Sequence, residues 1–98
     1  MDIGALMKQA KELQAKVAAA QAVLAGMSLK GIAESGLAIA ELDGKYNLKK
    51  LTLAPDLMKE SPERAAAVIS AALGDAKAKA DAAIDKIMGE ATGGVDLP

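Results

Sequence analysis

The apolar residues near the start of the chain repeat with the spacing of a helix that packs along one side. They step alternately by four and three residues, at Leu6, Ala10, Leu13, Val17, Ala20, Leu24 and Met27. This heptad spacing predicts a helix over residues 3–26, with Asp2 as its N-terminal cap and Gly26 at its end. At 1.5 Å per residue such a helix is about 36 Å long, more than a three-stranded sheet needs as a cover. We therefore expect one end of it to project.

The middle of the chain changes to short stretches in which apolar and polar residues alternate. These are MSLKGIA, LAIAELD and NLKKLTLA, separated by the turn ESG and by Asp43-Gly44, a typical two-residue hairpin turn. They predict a three-stranded antiparallel meander within residues 27–54, with one apolar face and one partly wet face. The apolar face is expected to carry Met27, Leu29, Leu37, Ile39, Leu51 and Leu53. The other is expected to carry Ser28, Lys30, Lys50 and Thr52.

A second helix is predicted over residues 62–88. Ser61 supplies a capping hydroxyl, and Pro62 suits the first helical position. Gly89 is expected to end the helix and to begin a flexible tail over residues 89–98. The order helix, three-stranded antiparallel sheet, helix places the chain in the α+β class.

The composition predicts a small core that is completed by a second copy of the chain. The 98 residues fit one domain, over residues 1–98. There is no Phe and no Trp, and Tyr46 is the only aromatic residue, although aromatic side chains bury the most area. Because oligomerisation is a common remedy for a weak core, we expect a homodimer.

Several classes of chemistry are poorly supported by the residues present. The chain has no His and no Cys, so the commonest general base, the commonest metal ligand and the thiol nucleophile are absent. Its carboxylates are explained by turn and helix-surface positions. We therefore expect no enzyme activity, no metal, no cofactor and no small-molecule substrate. The lack of a long apolar run argues against a membrane span, and a cysteine-free chain suits the cytoplasm.

Lysines on the two helices are the candidates for a binding surface. Lys8 and Lys11 are predicted on the outer face of the first helix, and Lys16 beside its apolar side, four residues after Glu12. They can form a solvated face with weak intrahelical pairs, or they can contact an anionic partner. In the second helix Lys77 and Lys79 are the corresponding candidates, although both have an acidic residue four positions away.

The kind of nucleic acid that such lysines suit is a duplex. The net charge of −1 requires any basic patch to be local. Single-strand binding uses several aromatic stacking platforms, and this chain has one aromatic residue. A nucleic-acid partner should therefore be double-stranded DNA or another duplex, held mainly through its phosphates.

Three stretches resemble, in order, the YbaB/EbfC family of bacterial nucleoid-associated proteins. They are LMKQAKELQAKV, GIAESGLAIAELDGKYNLKKLTLAPDLM and VISAALGDAKAKADAAIDKIMGEATGGVDLP, and together they cover nearly the whole chain. The resemblance implies a helix-sheet-helix subunit, a homodimer with projecting helices, and DNA binding in the nucleoid of the bacterial cytoplasm. It also implies a role in nucleoid organisation or gene regulation.

The chain departs from the family pattern in three places, one of which is the segment before the hairpin, where IAESG stands in place of a denser glycine run. It stops at Leu97-Pro98, where relatives commonly have a longer tail, and its second helix is alanine-rich with an acidic excess. The acidic excess bears on the strength of DNA binding more than on the fold.

Two functional hypotheses follow from the sequence. The first is a homodimeric, non-enzymatic DNA-binding protein whose DNA contacts are Lys8, Lys11, Lys16, Lys77 and Lys79. The resemblance carries Lys8 and Lys11, which lie in or beside the matching MKQA stretch, and helix position suggests the other three. The second hypothesis is a protein-interaction or assembly module of the same fold, with another protein as its partner.

Overall fold

A computed structural model describes residues 2–93 of the chain. The chain forms two helices and three strands in the predicted order: α1 (Ile3–Ala25), β1 (Leu29–Ala33), β2 (Ala38–Leu42), β3 (Leu48–Leu53) and α2 (Pro62–Ala91). The strands make one antiparallel sheet in the order β1-β2-β3. The α+β class and the arrangement helix, three-stranded antiparallel sheet, helix are confirmed.

Both helices begin at the predicted caps. The Asp2 carboxylate accepts the backbone N–H groups of Gly4, at 3.0 Å, and Ala5, at 3.3 Å. The Ser61 hydroxyl accepts the backbone N–H of Arg64 at 3.1 Å. Each cap satisfies N–H groups in the first turn that have no partner within the helix.

The predicted end of α2 at Gly89 is wrong, because the helix continues to Ala91. A glycine inside a helix costs only about 1 kcal/mol relative to alanine, which packing and capping elsewhere can offset. The helix stops where Thr92 bonds back to the carbonyl of Met88 and Gly93 adopts a φ of 65°. A left-handed residue of this kind is a common helix end. Of the predicted flexible tail, residues 94–98 lie outside the described part.

The core lies between α2 and one face of the sheet, and it is built largely from alanine. Its buried members are Ala33, Ala38, Ala40, Leu42, Leu57, Val68, Ala72 and Ala76. Gly31 shows how close the two layers are, since a Cβ placed there would lie 2.0 Å from the backbone oxygen of Ala72. The helix backbone therefore rests directly on β1.

The predicted facing of β2 is wrong for Ile39. Ala38 and Ala40 are fully buried against α2, and Ile39 between them lies on the opposite, open face of the sheet. Its cross-strand neighbours there are Ile32 and Thr52. At Ala38 and Ala40 the close approach of α2 leaves room only for small side chains, so the larger Ile39 points away from the core.

The predicted two-residue turn at Asp43-Gly44 is also wrong, because the loop between β2 and β3 has five residues, 43–47. The Asp43 carboxylate organises this loop by accepting the backbone N–H and the side-chain amide of Asn47, each at 3.0 Å. The residue with positive φ is Tyr46, at 67°. The short turn is replaced because an Asx-type hydrogen-bond network closes a wider loop.

Gly44 joins this loop to the end of α1. Its backbone N–H donates to the Leu24 carbonyl at 2.7 Å, and a Cβ at this position would lie 2.7 Å from the Leu24 Cβ. Glycine is required here for close approach. The hairpin loop thereby anchors the C-terminal end of α1 to the sheet.

Candidate nucleic-acid interface

The N-terminal part of α1 extends beyond the rest of the described chain. Every residue from Asp2 to Lys16 is exposed, whereas Ala20 and Leu24 further along the helix are buried. The end of α2 lies beside the middle of α1, where Ile87 and Ala20 line a shared groove. The molecule is accordingly 68 Å long and only 23 by 18 Å across. We call residues 2–16 the arm.

Lys8 and Lys11 lie on the same side of the arm, separated by three residues. Successive helical residues are rotated by about 100°, so these two side chains are about 60° apart around the axis. Gly4 and Ala15 flank them and leave a shallow groove along this side, and the acidic Glu12 lines the same groove. The ammonium groups of Lys8 and Lys11 therefore lie beside a shallow groove on this side of the arm.

The arm lysines have no acidic partner in the part of the chain that the structure describes. The ion pairs formed there involve neither Lys8, Lys11 nor Lys16. The predicted pairing of Glu12 with Lys16 is not among them. These positive charges are consequently open to an external anion.

The opposite side of the arm is apolar and equally exposed. Ile3, Leu6 and Leu13 keep 69, 48 and 43% of their surface accessible. They continue the side of α1 on which Ala20 and Leu24 pack against the rest of the chain. The arm thus has a basic side and an apolar side, facing away from each other.

Lys79 is held against the sheet and is not part of this basic side. Its ammonium group lies 3.2 Å from the Asp75 carboxylate and donates to the Lys30 carbonyl of β1 at 2.6 Å. The same carboxylate accepts the backbone N–H of Ile32 at 3.0 Å. Asp75 and Lys79 together cover the outer edge of β1, where backbone groups would otherwise be unpaired.

Lys77 is likewise engaged within the chain. It lies 3.2 Å from the Asp81 carboxylate, and its ammonium group is 5.7 Å from the centre of the Tyr46 ring. The Tyr46 hydroxyl donates to the same carboxylate. This hydrogen bond is the main reason why the pKa of Tyr46 is raised and the pKa of Asp81 is lowered. The cluster ties the hairpin loop to α2.

The five predicted lysines therefore do not form one patch. Lys8 and Lys11 share one side of the arm, and Lys16 lies at its base beside the end of α2. Lys77 and Lys79 are paired on α2. The sequence did not predict that Asp75 and Lys79 cover the edge of β1. Their four-residue spacing is visible in the sequence, but their contacts with the backbone of β1 are not.

The Asp75 carboxyl predicts how stability depends on pH. The Ile32 backbone N–H and then the Lys79 ammonium group lower the pKa of Asp75 below its usual value of 3.8. Ionised Asp75 thus stabilises the fold above about pH 4, and this contribution is lost as the pH falls through the lower folded-state pKa.

Asp75→Asn keeps an oxygen for the Ile32 N–H but cannot titrate. We expect urea midpoints of the wild type to fall more between pH 5 and pH 2 than those of the variant, as followed by circular dichroism. Parallel declines in the two proteins would contradict this role of Asp75.

Strand β3 is the exposed part of the sheet. Residues 48–52 are all exposed, and Leu48 and Leu51 keep 51 and 38% of their surface accessible. In the described chain no side chain bonds the β3 backbone, in contrast to the covered edge of β1. The sheet therefore has one closed edge and one open edge.

The described residues, 2–93, have neither a metal-binding cluster of side chains nor a helix that could cross a membrane. No group of three or more acidic side chains there is placed to hold a metal ion. Neither α1 nor α2, over these residues, has an apolar stretch of the length needed to cross a membrane.

Comparisons with known proteins agree on one family. The sequence model of the YbaB/EbfC DNA-binding family matches residues 1–95. A nucleoid-associated protein of Gluconobacter oxydans is 43% identical over 98 residues, covering 99% of this chain and 92% of that protein. One of Paramagnetospirillum magneticum is 44% identical over the same length and coverage. The resemblance seen in the sequence is confirmed.

A solved structure supports the fold. The crystal structure of an uncharacterized protein from Helicobacter pylori superposes with a TM-score of 0.82. The match covers 92% of this chain and 96% of that one, at 13% identity. At this identity the likeness concerns the arrangement of helices and strands alone.

Proposed function

The chain belongs to the YbaB/EbfC DNA-binding family, and we propose that it binds double-stranded DNA as a homodimer, mainly through phosphate contacts. The observation that carries the proposal is the arm, which holds Lys8 and Lys11 away from the body of the chain without acidic partners in the described residues. A projecting helix with unpaired cations suits a long anionic polymer.

The residues available favour phosphate contact over base reading. A lysine ammonium is a compact charge on a flexible stem, whereas base recognition commonly uses planar, bidentate side chains. Arg64, the sole arginine, is paired with Glu34. Lys16 stays a predicted contact at the base of the arm. Lys77 and Lys79 stay weaker predictions, because DNA would have to replace their carboxylate partners.

The open edge of the sheet supports the homodimer. A second copy can pair its β3 with this edge or pack on the exposed Leu48 and Leu51, and either would remove apolar surface from water. Because Asp75 and Lys79 cover the edge of β1, strand pairing with a second copy would use β3. Two copies joined in this way present two arms to one DNA molecule.

We propose further that this single domain acts without catalysis in the nucleoid of the bacterial cytoplasm, in nucleoid organisation or gene regulation. The relatives in Gluconobacter and Paramagnetospirillum are named nucleoid-associated proteins. The lack of His and Cys in the sequence supports a role that is not enzymatic.

A protein-interaction module is the alternative, and the apolar side of the arm is the observation that favours it. Such a module would show salt-tolerant association with another protein and no saturable binding to DNA. The two functions therefore differ in their dependence on salt.

The test is fluorescence anisotropy of labelled duplex DNA across a salt series, with protein whose mass is known from light scattering. We expect saturable binding by a dimer, with log K falling linearly against log salt by about 0.9 for each phosphate contact. No binding at low salt would overturn DNA binding, and a monomeric mass at all concentrations would overturn the homodimer.

A further inference from the structure

We propose that Asp75 and Lys79 take the place of a strand on the outer edge of β1 and thereby limit assembly of this chain to two copies. Without these side chains, the edge of β1 would accept β3 of another copy, and copies would add one after another. The inference rests on the proposed homodimer, which uses β3, and it concerns the opposite edge of the sheet.

The two side chains supply the donor and the acceptor that one residue of a neighbouring strand would supply. Lys30 and Ile32 lie two residues apart, so their outward backbone groups are on the same side of β1. In a parallel pair, one residue of the added strand donates its N–H to the first carbonyl and accepts the second N–H. Here the Lys79 ammonium group donates to the Lys30 carbonyl at 2.6 Å, and the Asp75 carboxylate accepts the Ile32 N–H at 3.0 Å. The side chains therefore fill one complete bonding position of a parallel strand.

The close packing of α2 on β1 lets these side chains reach the edge. A Cβ at Gly31 would lie 2.0 Å from the Ala72 oxygen and 2.3 Å from the Ala76 nitrogen. Asp75 directly precedes Ala76, so even its short side chain extends to the outer edge of the strand. Lys79 lies about one helical turn later, 3.2 Å from the Asp75 carboxylate. Their side chains keep 43 and 48% of their surface accessible, which places them at the rim of the molecule, where an added strand would lie.

The strand directions determine which pairings continue and which stop. Strands β1 and β3 both pair antiparallel with β2, so they run in the same direction. A copy added in the same orientation would place its β3 parallel to β1 and would leave its own β1 for the next copy. Such head-to-tail contacts use two different surfaces and form an open series unless they close into a ring. Pairing of β3 with β3 uses one surface twice about a two-fold axis and ends at two copies.

Strand β3 is the segment that an uncovered β1 edge would accept. Its residues 48–52 are exposed, and no side chain of residues 2–93 bonds its backbone. Pairing would also remove the exposed Leu48 and Leu51 from water. Its direction in a copy of the same orientation is the parallel one whose bonds Asp75 and Lys79 already make.

The direct test removes both side chains without changing the net charge. The mass of Asp75→Ala/Lys79→Ala is measured by light scattering over a concentration series, and circular dichroism checks that it folds. We expect the wild type to stop at two copies, and the variant to reach at least about twice that mass and to go on rising with concentration. Lys77→Ala/Asp81→Ala is the control, because it removes an ion pair of the same spacing from the same helix, also at 3.2 Å. A variant with the mass of the wild type, or equal growth of the control, would overturn the inference.

Single changes separate loss of the edge cover from loss of stability. Lys79→Met keeps a long side chain and removes the ammonium group, so it should also exceed the mass of two copies, and it decides the matter if the double variant does not fold. Asp75→Asn keeps an oxygen for the Ile32 N–H and should keep the wild-type mass. Absence of growth in Lys79→Met, or equal growth in Asp75→Asn, would contradict the replacement of a strand by these side chains.

A further change identifies the strand that is added. Lysine on an edge strand opposes pairing, so adding Leu51→Lys to Asp75→Ala/Lys79→Ala should stop the growth. Continued growth would exclude β3 as the added strand. A wild type that is monomeric at all concentrations would instead overturn the homodimer of the proposed function, whereas growth of Asp75→Ala/Lys79→Ala would still support the edge cover.

Discussion

Replacing Gly31 with alanine is expected to destabilise the chain by about 3 kcal/mol or more, since no side chain fits at this position. The new Cβ would lie 2.0 Å from the Ala72 oxygen and 2.3 Å from the Ala76 nitrogen, and both are backbone atoms. Helix α2 can relieve the overlap only by moving away from β1, which opens the alanine core along its length.

Urea unfolding followed by circular dichroism measures this effect, and Gly74→Ala is the matched control. Gly74 lies on the exposed side of α2 with no atom within 4 Å of an added Cβ. Alanine is the better helix former, so the control should gain up to about 1 kcal/mol. A loss below about 1 kcal/mol in Gly31→Ala would contradict direct backbone contact between α2 and β1.

Lys8→Ala/Lys11→Ala is expected to weaken DNA binding at low salt by a factor on the order of 10² or more, with a shallower salt dependence. Each phosphate contact contributes about 0.9 to the slope of log K against log salt. If one arm of a homodimer contacts DNA, two contacts are lost and the slope changes by about 1.8, and if both arms do, by about 3.6. The change in slope therefore counts the arms on DNA.

The control for this variant carries the same change in net charge at sites off the arm. Lys45→Ala/Lys59→Ala removes one lysine from the hairpin loop and one that pairs with Asp56 at 3.3 Å. Anisotropy titrations of the two variants should differ in slope. If both lose the same affinity and slope, the arm lysines act only through net charge.

The fold was predictable because large apolar residues mark its periodicity. The spacing of Leu6, Leu13 and Leu24 predicts α1, and the caps Asp2 and Ser61 predict where each helix begins. The facing of β2 was not predictable in this way. Two of its three buried residues are Ala38 and Ala40, whereas a ranking by size and hydrophobicity favours Ile39. Only the distance between α2 and the sheet decides this facing, and that distance depends on Gly31 and on alanines far away in sequence.

The positions of candidate site residues were predictable where they depend on the spacing within one helix. They were not predictable where they depend on a contact between two elements that are distant in sequence. Lys8 and Lys11 lie on the outside of α1 because helical spacing places them there. Lys79 reaches the carbonyl of Lys30, 49 residues earlier in the chain, and no local pattern shows that contact. The same holds for Gly44, where a turn signal in the sequence is a contact with Leu24 in the structure.

The anchoring of α1 at one end makes the arm a lever. Its support lies between Ala20 and the hairpin loop, and about 25 Å of helix extends from Ala20 to Ile3. A rotation of about 8° at the support would displace the tip by roughly 3.5 Å, which is close to the 3.4 Å rise between successive phosphates of one DNA strand. A change of that size at the contact of Gly44 with Leu24 would therefore move the tip of the arm by about one nucleotide step. In this proposal no lysine of the hairpin loop contacts DNA. Through its contact with α1, the loop nevertheless determines where Lys8 and Lys11 lie relative to the DNA.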